Sequence, residues 1–415
     1  MTLINEALLC PSRRVFLASA GAFVAWANMP QLASAAGARD PRLVVVILRG
    51  AMDGLAAVPP IGDPDYPSIR GDLAIGTAGL EPTLPLDSFF GLNQAMPKLH
   101  DSFKQGEALI VHAAATPYRD RSHFDGQDTL ETGMTGPRAA TTGWLNRVAQ
   151  VLPTGEAVRP TTGLAASPTV PLILRGPAPI LTWTPPDFRA VGSDTLQRLM
   201  HLYGETDPEL SGVLAAGIGV DKLAAGDDLM ANAAGKPRPG SGGVAAAFAS
   251  LAAGAGRLLA DNAGPRLAAI SYDGWDTHAS EGADKGRLAT LLGALDGALA
   301  ALKDSMTPVW HDTAVVLMTE FGRTAHINGT EGTDHGTATT ALLLGGAVRG
   351  GRVVADWPGL KPAQLFEQRD LAPTTDLRAV LKGILRDHLG MSESALATTV
   401  FPDSGAVKPL DGLIA

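Results

Sequence analysis

Four short polar stretches carry the side chains that can bind a cation or move a proton: 49-RGAMDG-54, 118-YRDRSHFDGQD-128, 272-YDGWDTH-278 and 319-TEFGRTAHINGTEGTDH-335. Within them stand Asp53, then Ser122 with His123, Asp125 and Asp128, then Asp273, Asp276 and His278. Glu320, Arg323, Asp334 and His335 complete the set. If these stretches meet, carboxylates and imidazoles converge on one edge, and they repel unless a cation or several hydrogen bonds sits among them. Each residue also has a plainer reading. Asp53 suits an Asp-Gly turn, and Ser122 suits a helix N-cap. Asp276 and His278 fit a solvated loop, Glu320 with Arg323 a structural ion pair, and Asp334 with His335 a loop staple. His100, His112, His201, His311, His326 and His388 are read as ordinary surface or core histidines.

The elements between these stretches argue that they do meet. Residues 43-LVVVIL-48, 108-ALIVHAA-114, 267-LAAIS-271, 314-AVVLM-318 and 341-ALLLGG-346 are continuous apolar runs, the mark of strands covered on both faces. Four of the five lead directly into a polar stretch. Before the run at 314, leucines at 288, 291, 292, 295, 299 and 302 form one helical stripe. Strand, polar loop and helix in repetition predict a doubly wound, mainly parallel α/β sheet flanked by helices, where ligands bind beyond the carboxyl ends of the strands. Residues 375–390 read as a capped amphipathic helix. From about 150 to 245 the pattern weakens. Residues 166–188 are proline-rich and suit an irregular connection or cap, and 224–243 read as a surface loop.

The chain has 415 residues, 45% of them hydrophobic, and a net charge of -9. That length supports one large α/β domain over 36–415, and the acidity argues against a general nucleic-acid binder. At the N-terminus, 12-SRRVFL-17 precedes a short apolar stretch and the small-residue site 33-ASA-35. This is the pattern of a twin-arginine export signal over 1–35, cleaved after Ala35. The apolar run is too short and diluted for a membrane span, so the expected destination is the periplasm or the medium. The single cysteine, Cys10, would leave with the signal, so the mature chain would lack a disulfide.

Taken together, the signal, the first strand ending in Gly50-Ala-Met-Asp53-Gly, Ser122-His123-Phe124, Trp275-Asp276-Thr277-His278, Thr319-Glu320-Phe321-Gly322-Arg323 and Gly332-Thr333-Asp334-His335-Gly336 resemble the bacterial family catalogued as domain of unknown function 1501. That family is similar in turn to the alkaline phosphatase and sulfatase superfamily, metal-dependent α/β hydrolases of phosphate or sulfate esters. The resemblance implies metal ligands at Asp53, Asp276, His278, Glu320 and His335, with His123 and Asp334 as further candidates. It also implies Ser122 as nucleophile and compares Asp296 with an inward carboxylate on the long helix. The departure is Phe321, which stands where the superfamily has a metal-binding histidine.

The expected activity is therefore hydrolysis of a small anionic ester or a cell-surface polymer, with one or two divalent ions of the zinc, calcium or magnesium/manganese type. Ser122 would attack from a helix N-terminus, and Arg323 would clamp the transferred group. The alternative is an exported binding or structural protein on the same scaffold.

Overall fold

The computed structural model describes residues 39–76, 82–152, 163–185 and 243–415, together with Gly212, Val220, Leu223 and Ala224. The expected export signal, Cys10 and His201 lie outside the described residues. One compact unit spans Pro41–Ala415.

Among the described residues, nine strands build the main sheet: β1 (Arg42–Arg49), β4 (Ala108–Ala115), β5 (Gly163–Ala166), β6 (Ile180–Thr182), β7 (Leu267–Asp273), β8 (Thr313–Met318), β9 (Thr339–Leu344), β10 (Arg352–Val354) and β11 (Thr375–Asp376). Their order is β10-β4-β9-β8-β1-β7-β5-β6, with β11 also on β4. A small antiparallel pair, β2 (Leu84–Pro85) and β3 (Gly91–Leu92), stands apart. All pairings in the main sheet are parallel except those of β9, which runs against both β4 and β8. The proline-rich stretch expected to be irregular contributes β6, and the end of β5 overlaps its start. Short parallel pairing of β6 to β5, and of β5 to β7, outweighs the weak local pattern there.

The apolar runs are continuous because both faces of the sheet are covered. Along β1, Val44, Val46 and Leu48 pack with helices Pro97–Lys104, Gly243–Ala260 and Arg287–Ser305. Leu43, Val45 and Ile47 face the other way, onto helices His123–Thr132, Trp144–Val151 and Leu377–Leu389. Helix Gly243–Ala260 is long and apolar enough to cross a membrane by composition. It nevertheless buries Phe248, Ala252, Ala255, Leu258 and Leu259 in the core, as a helix of a packed α/β layer does.

This topology gathers the polar stretches at one edge. The carboxyl ends of β4, β8, β1 and β7 all point there. Because β9 is antiparallel, the residues before it, not after it, arrive at the same edge. Asp334 and His335 are those residues.

Candidate metal centre

Each side of the centre is set by a strand end. After β4 the chain runs to Arg121, whose backbone is left-handed (φ 60°). Ser122 follows in the N-cap position of helix His123–Thr132, in extended conformation, without a side-chain cap bond. This turn places His123 at the first helical position, looking across the sheet edge. After β7 come Asp276 and His278, and after β8 come Glu320 and Arg323. The turn after β1 passes so close beneath them that a Cβ at Gly50 (φ +116°) would stand 2.6 Å from the Asp276 amide nitrogen. Only glycine fits there.

His123, Asp276 and His335 bring one ligand atom each within 4.8 Å of one another. His123 Nε2 lies 2.9 Å from His335 Nε2 and 3.5 Å from Asp276 Oδ1. His335 Nε2 lies 3.3 Å from the same oxygen. His278 adjoins the group, with its Nε2 at 3.0 Å from both His335 Nε2 and Asp276 Oδ1. Ligands at about 2.0–2.1 Å from a tetrahedral zinc stand roughly 3.3 Å apart along each edge. The three-residue group has that spacing within a few tenths of an ångström.

The outer bonds of the histidines test the fit more sharply. His335 Nδ1 is 2.9 Å from the carbonyl oxygen of Arg121, so it must carry the proton and donate. His123 Nδ1 donates to Glu320 Oε1 at 2.8 Å, and His278 Nδ1 to Asp334 Oδ1 at 3.1 Å. With a ring so bonded and neutral, its lone pair lies on Nε2, turned into the group. His335 offers one lone pair to two neighbouring Nε2 atoms, and a cation among them would be bound by lone pairs that otherwise repel. Imidazole rings whose other N–H is held by a carboxylate or carbonyl are the usual setting of metal-ligating histidines.

Charge points the same way. Burial raises the Asp276 carboxyl, but the hydrogen bond and charge of Arg323 outweigh it and hold it below the usual carboxylate range. Burial likewise works against Glu320 and Asp334. Hydrogen bonds from His123 and Gln127 to Glu320, and from Asn328 and His278 to Asp334, keep both low. The carboxylates of Asp276, Glu320 and Asp334 thus stand around the rings against the one guanidinium of Arg323. The bond to Glu320 raises His123, whereas burial and the charge of His123 lower His335.

The remaining candidates have other places. Glu320, expected among the ligands, is fully buried behind His123. Its Oε1 also accepts from the Gly50 amide and Gln127, so it supports the ring. Asp334 supports His278 in the same way.

Asp53 is spent elsewhere: Oδ1 caps helix Gly54–Ala57 through the Leu55 and Ala56 amides, and Oδ2 pairs with buried Arg70. Arg323 is 2% exposed and is held by Asp276 Oδ1 at 2.6 Å, Thr333 Oγ1 at 3.1 Å and the Thr333 carbonyl. Its fork faces protein groups, so it orients Asp276 and is not a free clamp. Ser122 is half-buried and adjoins His123. Asp296 accepts from the Lys98 and Leu99 amides, capping helix Pro97–Lys104. Asp125 and Asp128 contact Arg138, and Asp273 is exposed at the end of β7. Among the histidines read as ordinary, His100, His112 and His388 bond to backbone carbonyls.

Phe321 is buried at 2% and packs its ring against His123 (4.9 Å between centroids) and His335 (5.4 Å). It is a floor for two imidazole rings of the group, at the position where the resemblance leads one to expect a metal-binding histidine. Gln127 was not singled out from the sequence. It joins Glu320 to Arg49, which is paired with Glu131, and its i+4 spacing from His123 on one helix was the available signal.

Fold and site together define a mainly parallel, doubly wound α/β protein with a His/Asp group suited to a divalent cation at its strand ends. The family described as "Protein of unknown function (DUF1501)" matches residues 107–399, and the chain belongs to it. No curated protein matches the sequence. Among solved structures, murine ectonucleotide pyrophosphatase/phosphodiesterase 5 is 10% identical, with 68% of this chain and 57% of that one covered and a TM-score of 0.32. The chain thus spans little more than half of that protein's length. Ps i-CgsB in complex with k-i-k-neocarrahexaose is 11% identical, with 89% and 77% covered and a TM-score of 0.40. The phosphonate monoester hydrolase of Agrobacterium radiobacter is 11% identical, with 85% and 74% covered and a TM-score of 0.31. Likeness this distant carries no assignment of activity.

Proposed function

We propose that this chain is an exported, metal-dependent hydrolase of phosphate or sulfate esters. One observation carries the reading: the Nε2 atoms of His123 and His335 and an Asp276 oxygen converge, each ring having its Nδ1–H bound to a protein oxygen. His123, Asp276 and His335 would hold the ion, with His278 against them. A set rich in imidazole suits a transition ion of the zinc type better than calcium or magnesium, which take oxygen ligands. When bound, such a cation supplies Lewis acidity and lowers the pKa of water or a hydroxyl at its open position.

The protein's own groups do the rest. Glu320 and the Arg121 carbonyl keep two rings in the ligating tautomer, and Arg323 keeps Asp276 ionised and aimed. Phe321 excludes water from one side of the rings. The Ser122 hydroxyl, not used to cap its helix, is the candidate nucleophile beside His123.

A single ion is the stoichiometry favoured. Asp53, the ligand expected for a second one, is already neutralised by Arg70. The test is elemental analysis of the purified mature chain. A screen of phosphate and sulfate esters then compares it with Ser122→Ala and His335→Ala. One zinc-type ion per chain and turnover lost in His335→Ala support the reading; a metal-free folded chain with no turnover overturns it.

A second reading draws on the immobilised Arg323. With that guanidinium bound to Asp276 and Thr333, it is not available to grip a transferred group, which favours a metal-bearing binding protein. Full metal occupancy without turnover of any ester would select it. Export by the twin-arginine route belongs to either reading, and replacing Arg13 and Arg14 with lysine should hold the chain in the cytoplasm.

A further inference from the structure

Three residues beyond His278 lies Glu281, a fully buried carboxyl that has no place in the chemistry above. Its Oε1 has no hydrogen-bond partner, and its Oε2 accepts the Thr333 hydroxyl at 2.7 Å. Burial, reinforced by the charge of Asp53, pushes the carboxyl up to about 8 despite the Arg70 charge and the hydroxyls of Thr333 and Thr277. It therefore keeps its proton at neutral pH.

Thr333 is the joint of a continuous path. Its single hydroxyl proton goes to Glu281, which leaves its oxygen lone pairs for the Nε–H of Arg323 at 3.1 Å. Arg323 in turn donates from Nη1 to Asp276 Oδ1 at 2.6 Å. Arg323 is buried, whereas the Asp276 side chain is 41% exposed. The arginine is thus the fixed end of the pair, and whatever fixes the arginine aims the carboxylate. The two loops are stitched at the same level by the Ser280 amide on the Thr330 carbonyl, Glu281 on Glu331, and Thr333 on Thr277. A neutral acid is well suited to the task. It orders the Thr333 hydroxyl without competing with Asp276 for the guanidinium charge, as a carboxylate would.

We propose that Glu281 is a positioning residue of the metal centre: through Thr333 and Arg323 it sets where Asp276 presents its oxygen to the ion. This rests on the reading that His123, Asp276 and His335 bind a metal. A group bonded directly to a metal ligand, as Arg323 is to Asp276, typically changes affinity about 10–100-fold when removed, so Thr333 and Glu281, further along the path, should act at or below about tenfold.

The experiment is zinc titration of the full mature chain against a competing chelator, for wild type, Thr333→Val, Thr333→Ser, Glu281→Leu and Glu281→Gln. Melting curves in excess chelator are recorded in parallel. Thr333→Val and Glu281→Leu should bind zinc up to about tenfold more weakly, while Thr333→Ser and Glu281→Gln, which keep the hydroxyl and the neutral acceptor, restore affinity to within about twofold. If Thr333→Val does not fold, the Glu281→Leu and Glu281→Gln pair decides. Unchanged zinc affinity in the deleting variants, with melting lowered in chelator alone, overturns the inference and leaves the metal centre standing. Wild type that takes up no zinc-type ion overturns both.

Discussion

His123 Nε2 and His335 Nε2 stand 2.9 Å apart, although the one ring gives its Nδ1–H to Glu320 and the other to the Arg121 carbonyl. Two lone pairs at that distance repel unless a proton or a metal lies between them. Removing either ring should therefore lower metal occupancy from about one ion per chain to a small fraction, at unchanged helix content. Equal metal content in wild type, His123→Ala and His335→Ala would remove the site from consideration.

Glu320 makes a separable contribution. Its carboxylate holds His123 but is not itself at the ligand group, so Glu320→Ala should retain the ion with affinity weaker by roughly 10–100-fold. Deletion of a direct ligand should be more severe. Chelator competition on the two kinds of variant measures the difference, and a Glu320→Ala protein as depleted of metal as His335→Ala would place Glu320 among the ligands.

Phe321 links the rings to the core. Truncation to alanine should cost about 3 kcal/mol through the cavity it leaves, and it should loosen both imidazoles. The expected outcome is a lower melting temperature with and without metal, plus weaker metal binding. Denaturant unfolding of Phe321→Ala checks the first part, and a loss below about 1 kcal/mol would contradict the packing seen here.

Gly50 tests the close approach under Asp276. An added methyl would meet the Asp276 nitrogen at 2.6 Å in a left-handed backbone. Gly50→Ala should be destabilised by more than about 1 kcal/mol and should lose metal, while alanine at Gly136, where an added methyl meets nothing within 4 Å, should do neither. A fully loaded Gly50→Ala protein with wild-type melting would show that the turn moves freely.

The pH dependence of Glu281 has a definite sign. Its carboxyl is raised from the ordinary 4.5 to about 8 by burial and Asp53. Below the ordinary value both folded and unfolded chains hold the proton. Between there and about pH 8 the folded chain holds a proton the unfolded chain has lost, so stability falls as pH rises, by at most about 1.4 kcal/mol per pH unit. Glu281→Gln should flatten that slope in metal-free protein from pH 5 to 8. Every other group is common to both proteins and drops out of the comparison, so parallel melting profiles would show that Glu281 is ionised in the fold.

Much of this protein is decided locally. The apolar runs at 43–48, 108–114, 267–271 and 314–318 determine strands covered on both sides, because only a doubly packed sheet hides every residue of such a run. The polar stretches after them therefore had to stand at strand ends, and Asp276, His278 and His335 were legible as candidates from residue type alone. Which of them face one another was not. His335 reaches the edge because β9 runs antiparallel, and strand direction depends on the whole chain's connections. His123 reaches the group from the turn at one left-handed residue, Arg121, before its helix. Asp53 and Glu320 look like ligands in sequence, but a helix cap with a buried arginine takes the first and an imidazole N–H takes the second. A carboxylate's role is set by which donor lies within hydrogen-bonding distance, and that is fixed only once elements far apart in the chain are packed together.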